Sequence, residues 1–261
     1  MSSLSPILAS ALAVAVPLVL LWGLSVRIRD ASIIDSFWGM GFVLVAWTTF
    51  LLTDGYGLRA LLLVGLTSIW GIRLTAHIAI RNHGKGEDPR YTAMREAWGP
   101  RFWWVSLFTV FALQGVLIWI ISLPQQVAIP SAQPSGLTSL DVLGAAVWAV
   151  GFYFEVVGDR QLARFKADPA NAGRVLDTGL WRYTRHPNYF GDAMVWWGLF
   201  LLSASAPWGW ATVGSPVIMT YLLRRVSGVP MLEKGMAERR PGYADYVRRT
   251  SPFFPRPPLG S

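Results

Sequence analysis

Apolar runs of membrane-spanning length, separated by short polar segments, confine this chain to a helical membrane protein. Inside lipid every backbone N–H and C=O must be satisfied within the spanning structure, and a helix crossing the bilayer needs about 20 mostly apolar residues. Such runs lie at about 7–26, 33–52, 58–80, 102–123 and 140–157. The stretch 189–223 is too long for one crossing and breaks at 203–209, giving two more. The expected architecture is therefore all-α, a polytopic membrane protein of about seven transmembrane helices forming one integral domain over residues 1–261. The first run lacks a basic leader and stays apolar beyond Ala15, so it reads as a retained helix and not as a cleaved signal.

Charge sorts the connecting segments. Arg27 and Arg29 follow the first run, and Arg81, Lys85, Arg90, Arg95 and Arg101 fill 81–101. Arg160, Arg164, Lys166, Arg174, Arg182 and Arg185 fill 159–187, and the tail from Arg224 is basic again. The intervening segments hold no cation: 53–57 has only Asp54, while 124–139 and 203–209 are neutral. Lys and Arg remain cytoplasmic during insertion. The N-terminus is thus expected outside and the C-terminus inside, in a bacterial inner membrane with the polar chemistry toward the cytoplasm. The net charge of +8 then belongs to lipid headgroups and phosphate-bearing cofactors, not to nucleic acid. No Cys is present, and His77, His83 and His186 are scattered, so no metal site is expected. The Pro/Ser/Gly-rich segment 125–138 reads as a neutral linker, and no obligate protein partner is evident.

Three polar groupings could carry chemistry. Asp35, with Trp38, enters the second run; an acid at membrane depth faces either a cavity or a partner such as Arg73. Trp70, Arg73, His77 and Arg81 share one helical face, which continues through Asn82 and Lys85 to Glu87, Asp88, Arg90 and Tyr91. It reads either as a solvated loop or as a lip facing substrate or phosphate. The third grouping is the densest. Glu155, Asp159, Arg160, Gln161, Lys166, Asn171 and Arg174 precede Tyr183, Arg185, His186, Asn188, Tyr189 and Asp192. Arginines grip phosphates, a helix start offers free N–H groups, aromatic rings stack on a base, and carboxylates suit ribose hydroxyls. Together they describe a nucleotide pocket without a Gly-x-Gly-x-x-Gly fingerprint. The C-terminal part, with Glu233, Tyr243, Tyr246, Arg248 and Arg249, reads as an amphipathic surface helix and closing flap.

The run Tyr183-Thr-Arg-His-Pro-Asn-Tyr-Phe-Gly-Asp, preceded by Gly179-Leu-Trp, resembles the C-terminal signature of the steroid 5-alpha-reductase superfamily. Asp35-Ser-Phe-Trp-Gly, Arg81-Asn-His-Gly-Lys-Gly-Glu-Asp-Pro-Arg-Tyr and Gly242-Tyr-Ala-Asp-Tyr narrow it to a bacterial branch catalogued as a domain of unknown function. The resemblance runs over about 30–255, with the reductase-like C-terminal part at about 140–255. The Arg-His-Pro-x-Tyr core also resembles isoprenylcysteine carboxyl methyltransferases. The resemblance implies seven helices, NADPH in the cytoplasmic half, and reduction of a carbon–carbon double bond conjugated to a carbonyl in a steroid- or lipid-like substrate. It implies cofactor roles for Asp159, Lys166, Tyr183, Asn188 and Asp192, and secondarily for Arg174, Arg185 and His186. The steroid enzymes hold the ketone with a Gln-Glu pair and a Tyr; this chain offers Asp35, Trp38 and Trp70 instead.

The expectation is an NADPH-dependent reductase in which Asp35, Tyr91 or Glu87 stabilises the developing enolate oxygen and Trp38, Trp70 and Arg73 meet a hydrophobic substrate. The alternative is a methyltransferase using S-adenosylmethionine, favoured by Glu233 as a partner for a sulfonium. A lipid-binding or transport protein would leave the third grouping without a role.

Overall fold

The computed structural model describes residues 5–226, 228–229, 233, 236 and 240–259. Regular structure among them is helical, apart from one isolated bridge between Thr184 and Ser251. Five helical runs are long and apolar enough to cross a membrane: Pro6–Ile28, Ile33–Leu51, Gly57–Asn82, Pro89–Ile121 and Ser139–Ala167. They match the first five runs of the sequence. The structure forms two compact units, one running up to Asp141 and including Leu202–Thr212, the other Val142–Leu201 with the described residues from Val213 onward.

In the first unit, α1 (Pro6–Ile28) starts where the Ser5 hydroxyl accepts the Leu8 N–H at 3.3 Å, with Pro6 in the first turn. The helices α2 (Ile33–Leu51) and α3 (Gly57–Asn82) meet backbone to backbone. A Cβ on Gly39 would lie 2.4 Å from the Gly71 carbonyl oxygen, and one on Gly71 would lie 2.6 Å from that of Gly39. In lipid, where burial of apolar surface gives helices no reason to associate, such close approach supplies the packing.

Two segments differ from the sequence reading. The loop expected at 81–101 contains α4 (Pro89–Trp98). Its charges suggested solvent, but Asp88 and Pro89 form a helix start: the Asp88 carboxylate accepts the Arg90 N–H at 3.0 Å. The chain continues through a 3₁₀ turn at Gly99–Arg101 into α5 (Phe102–Ser106), a π-helical turn at Leu107–Ala112, and α6 (Leu113–Ile121). The linker expected from residue 125 begins inside α7 (Leu123–Ala128), with both glutamines buried. Gln125 donates to the Thr67 hydroxyl at 3.1 Å and Gln126 to the Trp119 carbonyl at 2.7 Å, which is what draws these amides inside.

A fully buried cation also lies in this unit. Arg59 donates to both Asp141 oxygens at 2.8 and 3.1 Å and to the Pro134 and Gly136 carbonyls at 3.1 and 2.7 Å. Asp141 additionally accepts the Thr138 N–H at 2.7 Å, capping the following helix.

The second unit is built on α8 (Ser139–Ala167) and α9 (Pro187–Ala204). The helix α8 continues past residue 157, so Asp159, Arg160 and Lys166 are helical. Gly144, Gly151 and Gly158 on α8, and Gly191 and Gly198 on α9, recur every seven residues. A Cβ on Gly191 would lie 2.5 Å from the Glu155 nitrogen, and one on Gly198 would lie 2.6 Å from that of Trp148. This seam brings the Glu155–Asp159 turn of α8 against the start of α9. The stretch 189–223 breaks as expected: α9 ends at Ala204, and α10 (Gly214–Tyr221) follows a 3₁₀ turn at Gly209–Val213. Neither α9 nor α10 is among the five long apolar runs. Of the C-terminal part expected as a surface helix and closing flap, Tyr243–Arg249 forms α11 with Tyr243 and Tyr246 buried, and 230–232, 234–235 and 237–239 lie outside the described residues.

Candidate active site

In the first unit the Asp35 carboxylate, in the first turn of α2, receives Arg90 at 2.5 Å and the Tyr91 hydroxyl at 2.6 Å. The cation at Asp35 is therefore Arg90, not the Arg73 suggested by the helical stripe. Arg90 extends beyond α3 on the Asp88-capped turn, which no spacing rule links to α2. Asp88 receives the same guanidinium at 2.8 Å, and Gln114 donates to the Tyr91 oxygen at 3.2 Å. Tyr91 is buried. The result is a phenol held between a carboxylate and an amide, with an arginine holding the carboxylate charge. Gln114, which the sequence reading passed over, is the one amide in the apolar run 102–121.

The other expected members of this grouping separate. Trp38 is half-buried and packs edge-on to Phe42 at 5.3 Å, and Phe42 packs on Trp70 at 5.5 Å. Trp70 is wholly buried and supports the aromatic wall. Arg73 is half-buried on α3. Glu87 accepts Arg95 at 2.7 and 3.0 Å and the Ala31 N–H at 2.8 Å. Burial opposes its charge, but the bonds from Arg95 and Ala31 outweigh it and hold the carboxyl below its usual range. An ionised Glu87 accepts and does not donate, which removes it from the enolate donors. Asp88 is held down in the same way, burial being outweighed by its bonds to Arg90.

In the second unit Glu155, Asp159 and Asp192 are buried on α8 and α9. Asn188 donates to Asp159 at 2.9 Å, while its own Oδ1 is buried with no hydrogen bond among the described residues. Arg185 is consumed by the fold: it donates to Glu233 at 2.7 and 3.1 Å and to the Thr250 and Val247 carbonyls at 2.7 and 3.1 Å. His186 lies 2.9 Å from Glu233 through Nε2 and stacks on Tyr189 at 5.6 Å, and its buried Nδ1 has no partner among the described residues. Arg160, Lys166, Arg174 and Tyr183 are exposed, and Asn171 bonds the Phe165 carbonyl at 3.2 Å to hold its turn. The Gly179-Leu-Trp portion also serves folding. The Trp181 indole donates to Gly158 at 3.1 Å, and the Tyr246 hydroxyl donates to Trp181 at 2.6 Å.

Glu233 makes this knot sensitive to acid. Burial opposes its charge, but hydrogen bonds from His186 and Arg185 and the arginine charge prevail, holding its pKa at about 2 against an ordinary 4.5. A depressed carboxyl stabilises the fold above its unfolded pKa and loses that contribution as pH falls toward the folded one. Melting curves of wild type and Glu233→Gln should therefore differ most above about pH 4.5 and converge toward pH 2. A constant difference across that window would exclude the ion pair as the cause.

The chain is 25% identical over 272 residues to an uncharacterized protein of Schizosaccharomyces pombe, a match covering 90% of this chain and 76% of that one. It is 35% identical over 74 residues to steroid 5-alpha-reductase DET2 of Arabidopsis thaliana, covering 28% of this chain and 26% of the plant protein. No solved structure matches the chain at a significant level. Residues 21–250 match one family model, and the chain belongs to that family, described as "Protein of unknown function (DUF1295)".

Proposed function

We propose that the chain is a membrane reductase that uses NADPH to reduce a carbon–carbon double bond conjugated to a carbonyl in a steroid- or lipid-like substrate. The observation that carries this reading is the Tyr91–Asp35–Arg90 array, a buried hydrogen-bond donor backed by a charge-balanced carboxylate. It occurs in a relative of a protein named as a steroid 5-alpha-reductase.

The residues of the second unit fit a dinucleotide. The buried Asn188 Oδ1 offers an acceptor for a carboxamide or a ribose hydroxyl. Asp159 and Asp192 supply further acceptors, and the stacked pair His186 and Tyr189 presents an aromatic face. Arg185 cannot take a phosphate, because its donors go to Glu233 and to backbone carbonyls. Phosphate recognition thus falls to exposed cations, Arg160, Lys166 and Arg174.

Bound to these second-unit residues, the cofactor would supply the hydride, and solvent the proton, that reduction of a double bond takes up. Within the first unit, Tyr91 would turn its O–H from Asp35 to a carbonyl oxygen as negative charge builds there, and Arg90 would keep the Asp35 charge balanced while that bond is given up. Gln114 fixes the position of the phenol oxygen throughout. The basic segments lie on the cytoplasmic side in this reading, and the helices at 187–204 and 214–226 complete seven crossings. The methyltransferase reading is weaker, since Glu233, its sulfonium partner, is already matched by Arg185 and His186.

The test is ligand-dependent melting of the purified chain in detergent with NADPH, NADH and S-adenosylmethionine. NADPH should raise the transition, and Asn188→Ala should abolish the rise. A response to S-adenosylmethionine alone would reverse the assignment.

A further inference from the structure

One cavity takes no part in the reductase reading. It lies where α1 ends and the run Pro89–Ile121 turns from α4 into α5, at the ends of two apolar helices. Val26, Arg29, Arg95, Phe102 and Trp103 line it with the Gly99–Pro100 turn, and its volume is about 310 Å³. Ligand pockets begin at roughly 300 Å³. Its walls are tied together: the Trp22 indole donates to the Trp103 carbonyl at 2.7 Å, and the two rings lie 6.3 Å apart.

The charge at this cavity is unevenly matched. Arg95 lies 4.6 Å over the Phe102 ring and gives Nε and one terminal nitrogen to Glu87, with Asp30 also acting on it. Its charge is therefore answered. Arg29 follows α1 in a left-handed conformation, is exposed, and has no ion pair among the described residues. Arg101 adds a further cation directly after Pro100. The surface beside these cations is apolar, with Leu24, Ile28, Trp103, Trp104 and Phe108 all exposed. A soluble anion would use only the cations. A molecule with a phosphate next to long acyl chains uses both, and tryptophan belongs at that boundary.

We propose that this cavity binds the headgroup phosphate of an anionic phospholipid, with Arg29 and the remaining N–H groups of Arg95 as donors and the acyl chains along the exposed faces of α1 and α5. The occupant would pin the start of the run that carries Tyr91 to the end of α1.

The experiment is native mass spectrometry of the full chain released from neutral detergent after adding phosphatidylglycerol or phosphatidylcholine. One phosphatidylglycerol should be retained about tenfold more tightly, since one or two surface cations are each worth roughly fivefold. Arg29→Gln should lose most of that preference and Arg29→Lys should keep it. Lys85→Gln, the same charge change in an exposed loop, should leave it intact. Equal retention of the two lipids, or equal losses in Arg29→Gln and Lys85→Gln, would overturn the proposal. Displacement of the lipid by millimolar inorganic phosphate would reassign the cavity to a soluble anion.

Discussion

Tyr91→Phe should lower the turnover of a conjugated enone by about 10² to 10³-fold with little change in KM, the loss typical of removing one oxyanion donor. The ring keeps its volume in a buried site, so the fold and the NADPH-dependent rise in melting temperature should persist. Asp35→Asn keeps an oxygen to receive the phenol but leaves Arg90 with Asp88 as its acid, so a smaller fall, about tenfold, is expected. Gln114→Leu removes only the bond that positions the phenol oxygen, and its effect should lie between that of Asp35→Asn and none. A Tyr91→Phe enzyme within twofold of wild type would remove this residue from the chemistry, whatever NADPH binding showed.

The second large effect concerns stability. Arg59→Met should destabilise the first unit by roughly 3–5 kcal/mol, because it strands a buried carboxylate. Asp141 would lose both arginine bonds, and the Pro134 and Gly136 carbonyls would lose their donor. Arg59→Lys should recover only part of this, since an ammonium cannot reproduce the planar fork that reaches all these acceptors. Adding Asp141→Asn to Arg59→Met should restore more than half of the loss, because it removes the stranded charge while leaving an oxygen for Thr138. Denaturation of wild type, Arg59→Met, Asp141→Asn and the double variant in one detergent measures the cycle. Additive losses in the double variant would show that the pair contributes nothing as a pair.

The long apolar runs could be read directly, because hydropathy and backbone satisfaction act locally along a helix. The five runs follow from that alone. The start of α4 was hidden because Arg90 and Arg95 read as topogenic charge, and the Asp88–Pro89 cap was not weighed against them. Asp35 stands out as an acid at membrane depth from its place in the second run. Its partner does not, because Arg90 is 55 positions away and helical periodicity relates only near neighbours. Arg59 and Asp141, 82 positions apart, were passed over for the same reason. The density of polar residues between 155 and 192 did announce a constellation. It could not distinguish groups with spare bonding capacity, such as Asn188, from groups spent on the fold, such as Arg185. That distinction depends on Glu233, Val247 and Thr250, which reach Arg185 from the tail.

Glycines seven apart on two antiparallel helices form a ladder that translation does not change. Sliding α9 by one rung would set Gly191 at Gly158 and Gly198 at Gly151, with the backbones as close as before. The seam alone therefore cannot select its own alignment. The polar groups favour one: Asn188 donates to the buried Asp159 on the observed rung, and a slide by one rung would give up that bond. The bond between Asn188 and Asp159 thus also distinguishes one helix alignment from its neighbour.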